Sequence, residues 1–124
     1  MVDATDDRFV RTLAKIEKDI RHPGGGVYRY AADTYYGGGE WLLLAAWLGW
    51  VYLELGRIGE AQTLLSWVEA QANSQGELPE QVSHHMLDSS HYAEWEHRWG
   101  TVACPLLWSH AMYLILEAKL GNRA

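Results

Sequence analysis

One cysteine in 124 residues, Cys104, excludes an intrachain disulfide. Chains without disulfides are at home in reducing compartments. The acidic, polar opening MVDATDDRFV does not have the form of a secretory leader, so a cytoplasmic location is the expectation. Long apolar runs are also missing. The longest, around residues 41–53, falls short of the roughly 20 residues a bilayer span needs. Basic residues are scarce, with 10 Lys and Arg against 16 Asp and Glu and a net charge of −6. That balance argues against nucleic acid as a partner, which calls for a basic stripe, and against docking on an anionic membrane. The glycine runs at 24–26 and 37–39 lack the Lys-Ser/Thr or the spacing of a phosphate-binding loop. His84 and His85 are adjacent, and His91, His97 and His110 follow at no metal-ligand spacing. No metal and no cofactor is therefore expected. His110 reads as a core histidine and Cys104 as a small core residue. Phenylalanine is nearly absent, at one residue, whereas Trp and Tyr number seven each. Both combine a flat apolar face with a polar handle, which suits the C–H faces and hydroxyl edges of sugars. A Trp-rich core is the plainer reading of composition alone.

The hydrophobic pattern predicts an all-α chain in one domain spanning 1–124, with about four main helices. Phe9, Leu13, Ile16 and Ile20 recur at helical spacing over 6–21, and Pro23 with the following glycines ends that segment. After a loop at 27–39, extended around 27–30, residues 40–55 form a helix apolar nearly all round. Residues 59–73 carry one apolar stripe, with Ala61, Leu64, Leu65, Val68 and Ala72. Residues 74–103 form a long loop with a short helix near Tyr92–Arg98, and Pro105 opens a last, mostly apolar helix over 105–120. The segment at 55–72 resembles one tetratricopeptide-like helix pair, but no second copy follows. Amphipathic and buried helices thus alternate. That alternation fits outer and inner rings of an α/α toroid rather than a free-standing bundle with one stripe per helix. Four helices make about a third of such a ring, so apolar surface is left for a partner.

Each buried helix follows a loop, and in a toroid such loops converge at one mouth. The first, GGVYRYAADTYYGGGEW, offers Arg29, Asp33, Tyr35, Tyr36 and Trp41. Arg29 and Asp33 can bond sugar hydroxyls while Trp41 stacks on a ring, or they can form a salt bridge with aromatics packed beneath. The second, GELPEQ, offers Glu80 and Gln81. A cleft carboxylate can activate water as a general base, and Glu77, Asp33 and Glu40 are the nearby candidates for the second carboxyl group that glycosidases need. Glu80 can equally be a helix-start or solvated charge. Tyr92, Trp95, His97 and Trp99 read as a lid.

The order GGVYRYAADTYYGGGEW, GELPEQ and PLLWSHAMYL resembles the C-terminal catalytic segment of glycoside hydrolase family 15, the glucoamylases, glucodextranases and related enzymes. The likeness covers roughly residues 6–120. It implies part of an (α/α)6 barrel that hydrolyses terminal α-glucosidic bonds with inversion. Glu80 matches the family's catalytic base. Arg29, Asp33, Tyr35 and Trp41 match its substrate-binding residues, with Gln81 beside the base and Trp108 opening the W-S-[HY]-A run. The family's general acid lies upstream, in a segment unlike anything in this chain. The expectation is a barrel fragment that needs its missing half, or self-association through its apolar helices, and is inactive alone. The rival readings are a non-catalytic carbohydrate-binding domain, a helical protein-interaction domain, and an epimerase using His110 with one of His84–His97.

Overall fold

The computed structural model describes residues 3–123. It is mostly helical: α1 (Asp7–Asp19), α2 (Leu42–Glu54), α3 (Ile58–Glu69), α4 (Tyr92–Trp99) and α5 (Leu107–Gly121). One antiparallel ladder joins β1 (Glu40–Trp41) to β2 (Gln81–Val82), pairing Glu40 with Val82 and Trp41 with Gln81. The architecture is all-α and consistent with a fragment of a helical toroid.

Asp6 caps α1, its side chain accepting from the Arg8 amide. Phe9, Ile16 and Ile20 pack beside buried Leu13 onto the core. The core is built around α2, which packs on α3 and α5. Leu42, Leu53, Leu64, Val68 and Leu116 are fully buried there. Truncating any of these leucines to alanine removes transfer free energy and leaves a cavity, at about 2–5 kcal/mol. Gly49 lets α2 and α5 approach closely: a Cβ at that position would stand 2.7 Å from Leu116 Cδ2. A polar seam ties α1 to this core. The buried Tyr52 hydroxyl donates to Glu17 at 2.8 Å, and Arg57 bridges to Glu17 at 2.8 Å with its guanidinium over the Tyr52 ring. Burial, reinforced by Glu17, pushes the Tyr52 phenol up to about 12.

Three boundaries differ from the sequence pattern. Glu40 and Trp41 begin no helix, because their backbones are taken by Val82, Gln81 and a bridge to Val27. The last helix begins at Leu107 rather than at Pro105. The third ends at Glu69, its last residues turning toward Glu77 through Asn73. Cys104 is exposed, not a core residue. It lies in a bend just before α5, outside any helix, and so stays open to water.

The two apolar helices are not buried on every side. On α2, Trp47 is exposed, and Leu44, Trp50 and Val51 are half-buried. On α5, Leu107 is 83% exposed, and Trp108, Leu114 and Ile115 are also open. Apolar side chains are thus left in water on two neighbouring helices. Between α1 and α2 lies an apolar cavity of about 300 Å³ lined by Phe9, Leu13, Ile16, Leu44, Trp47 and Val51. Arg29 touches it; Glu80 does not.

Candidate active site

The β1–β2 ladder zips together the two loops that carry the candidate residues. The Leu42 amide donates to the Glu80 carbonyl at 3.3 Å, and the Glu80 amide donates to Ala103 at 2.9 Å. Gln81 is buried. Its Oε1 accepts from the Gly39 amide at 2.8 Å, and its Nε2 reaches the Tyr35 carbonyl at 3.5 Å. The Gln81 amide group thereby sets the loop at 35–39 against the strand that follows Glu80, and it also helps hold the Glu80 charge. Gly39 is required at this join: a Cβ there would lie 2.4 Å from the Val82 carbonyl oxygen and 2.6 Å from Gln81 Oε1. Gly39→Ala is expected to destabilise the chain by about 1–3 kcal/mol, as overpacking against immovable backbone does. Urea unfolding measures this, and an unchanged midpoint would mean the ladder is slack.

Arg29 and Asp33 form a two-pronged ion pair. Nε and Nη2 donate to Oδ2 and Oδ1 at 2.9 and 2.8 Å. Asp33 is 1% exposed, and its Oδ1 also accepts from the Tyr35 amide at 3.0 Å. The Arg29 guanidinium lies over the rings of Tyr35 and Trp41, at 4.9 and 5.0 Å from their centroids. The Asp33 bonds hold its charge firmly in place and raise its proton affinity further. The pair is thus a salt bridge resting on aromatics, with the Arg29 side chain 38% exposed.

Glu80 stands beside this cluster, half-buried, with Oε2 buried and without a hydrogen-bond partner. Burial pushes its carboxyl up from the ordinary glutamate range. Tyr35, Arg29 and Gln81 hold it down, and Asp33 adds to the rise. Burial and the Glu80 charge push the Tyr35 phenol up in turn, so its hydroxyl keeps its proton. A desolvated carboxylate with a free oxygen is poised to take a proton.

Around it the aromatics close in. Tyr35 meets Tyr36 and Trp95 edge to face, at 4.8 and 4.9 Å between centroids. Tyr36 adopts a left-handed backbone at φ 48°, and its hydroxyl donates to Gly100 across the site at 2.8 Å. A tyrosine in that conformation stores strain that the surroundings must hold. Within α4, Tyr92 and Trp95 turn inward while His97 and Trp99 face solvent, so only half of the expected lid faces the site. Trp108 stands apart, 56% exposed on the first turn of α5. Its neighbour Ser109 donates to the Pro79 carbonyl at 2.8 Å, which ties α5 to the Glu80 loop. His110 Nε2 accepts from the Leu78 amide at 2.9 Å. That satisfied role leaves it no lone pair at Nε2 for epimerase chemistry.

One cluster escaped sequence reasoning. Glu40 is fully buried, and its Oε1 lies 2.7 Å from His85 Nδ1 and 3.4 Å from His22 Nδ1. The three residues are too widely spaced along the chain for any ligand motif to show.

No protein-family model matches the chain. Among curated proteins it is 51% identical, over 98% of its length, to the isomaltose glucohydrolase of Kribbella flavida. It is 30% identical, over 93% of its length, to an uncharacterised glycosyl hydrolase of Methanocaldococcus jannaschii. The chain is similar to part of each of these glycoside hydrolases. It spans 31% and 19% of the lengths of those two relatives. A solved glycosidase structure superposes with a TM-score of 0.93 at 52% identity, covering 97% of this chain and 32% of its own. A glycosidase carrying a glutamate-to-alanine substitution, solved in complex with glucose, matches equally well at 51% identity, with the same shares covered. Among the described residues, no helix of the segment is long and apolar enough to cross a membrane.

Proposed function

We propose that this segment carries the general base, Glu80, and part of the sugar site of an inverting hydrolase of terminal α-glucosidic bonds, within an (α/α)6 barrel of the glucoamylase type. The observation that carries this reading is the Glu80 carboxylate itself, desolvated and with a free oxygen beside an aromatic-backed arginine. Glu80 takes a proton from water as that water attacks the anomeric carbon. A carboxylic acid protonates the departing glycosidic oxygen. Asp33 cannot be that acid, because Arg29 and the Tyr35 amide engage both its oxygens; Glu40 is buried against His22 and His85, and Glu77 is held by Asn73. The acid therefore belongs to another segment. The open apolar faces of α2 and α5 are where the remainder of the barrel packs, and where isolated chains self-associate. Arg29, with Tyr35 and Trp41 beneath it, presents donors and aromatic edges to the sugar.

A chimera tests this. In it, the chain replaces its matching segment in the isomaltose glucohydrolase that it resembles. Glucose release from isomaltose is expected, with maltose and trehalose assayed beside it, and proton NMR is expected to show the inverted β-anomer first. Retention of configuration would overturn the reading. The chain alone is expected to be helical and inert.

A further inference from the structure

We propose that His22, Glu40 and His85 form a binding site for one divalent transition-metal ion of the zinc class, independent of the sugar site. His22 Nδ1, Glu40 Oε1 and His85 Nδ1 all lie within 4.8 Å of one another. Two imidazoles and a carboxylate are a donor set that suits zinc, with a fourth position left for water. Glu40 lacks the partners a buried carboxylate needs. It is fully buried, and its Oε2 has no hydrogen-bond partner. Gly26 leaves the space this carboxylate fills: a Cβ there would lie 2.3 Å from Oε2. No lysine or arginine pairs with Glu40 among the described residues. A buried carboxylate is paired, neutralised or bound to metal.

His22 sharpens the point. Its Nδ1 accepts from the Gly24 amide at 2.9 Å, so that nitrogen carries a lone pair rather than a proton. This unprotonated nitrogen and the carboxylate oxygen lie 3.4 Å apart with no hydrogen bond between them, an electron-rich contact that a cation between them relieves. The His22 and His85 rings stack at 3.9 Å and point the same nitrogen toward Glu40. His85 is half-exposed and free to turn its ring into a ligating angle. Gly24 is exposed, so water can take its amide proton when His22 turns to the metal. The ion would join three parts of the chain: the end of α1, the strand β1 and the loop that follows Glu80.

Calorimetric titration of the chain with zinc chloride tests the site. One ion per chain is expected, with a zinc-dependent rise in Tm that EDTA reverses. His22→Ala and His85→Ala, both at accessible positions, are each expected to weaken binding at least roughly 100-fold. His84→Ala and Cys104→Ser should leave it unchanged. Cobalt in place of zinc should give the intense visible bands of a four-coordinate site in the wild type and lose them in both alanine variants. No zinc uptake by the folded wild type would overturn the proposal. So would binding that survives both alanine variants, which would mean a buried Glu40 neutralised by His85 or by its own proton.

Discussion

Glu80→Gln in the chimeric enzyme is expected to lower kcat by roughly 10²–10⁴-fold, the usual worth of general base catalysis, with KM changed little. The same substitution in the isolated chain should leave the fold intact and raise its Tm at pH 7. Burial raises the folded-state carboxyl above its unfolded value, so the folded chain holds the proton more tightly than the unfolded chain. The stability tied to that proton is complete below the unfolded value and is lost as pH rises through the folded one. At neutral pH the ionised group therefore costs stability, and a neutral amide removes the cost. Thermal melts at pH 7 and pH 4 check the sign: the advantage of the variant should vanish at the lower pH. In the active chimera, kcat/KM should fall on the acid side at a pH above the ordinary glutamate range. A variant that stays active, or that melts well below the wild type at pH 7, would make Glu80 a structural charge.

Asp33→Ala is expected to destabilise the loop at 27–39 strongly, at about 2–3 kcal/mol by urea unfolding. Breaking a buried ion pair by removing one partner typically costs about 3–5 kcal/mol. The lower figure applies because the Arg29 side chain is 38% exposed and can recover solvation. Asp33 also holds the Tyr35 amide, so its loss should loosen Tyr35 and with it the floor under Arg29. Arg29→Ala removes the accessible partner and strands a carboxylate that is wholly buried. It should cost as much stability as Asp33→Ala or more. If both variants melt like the wild type, the pair is ornamental.

The helices were legible because apolar spacing reports burial directly. Leu13, Ala61, Leu64 and Val68 fell where the stripes placed them. The start of α2 was not legible, since nothing local in Glu40-Trp41 tells a helix turn from a two-residue ladder whose partner lies forty residues on. Propensity gives way to such pairing. Arg29, Asp33, Tyr35 and Trp41 stood within one short motif, and the structure does bring them together with Glu80. Gln81 stood beside Glu80 in GELPEQ but turned inward, a direction that composition does not carry. The His22–Glu40–His85 cluster was invisible because it is made only when three distant segments meet.

The peptide of Glu80 is tied on one side to Leu42 and on the other to Ala103, so Glu80 is built into the framework of α2 and of the chain leading into α5. If the acid sits on a separate block, the gap between the two carboxyl groups is set by how the blocks dock. An inverting enzyme needs a gap of about 6.5–9.5 Å. Changes at the seam, at Trp47 or Leu114 for instance, would then tune the water-holding gap from a distance. In such an enzyme, the evolution of reaction outcome would be written in interface side chains rather than in catalytic ones.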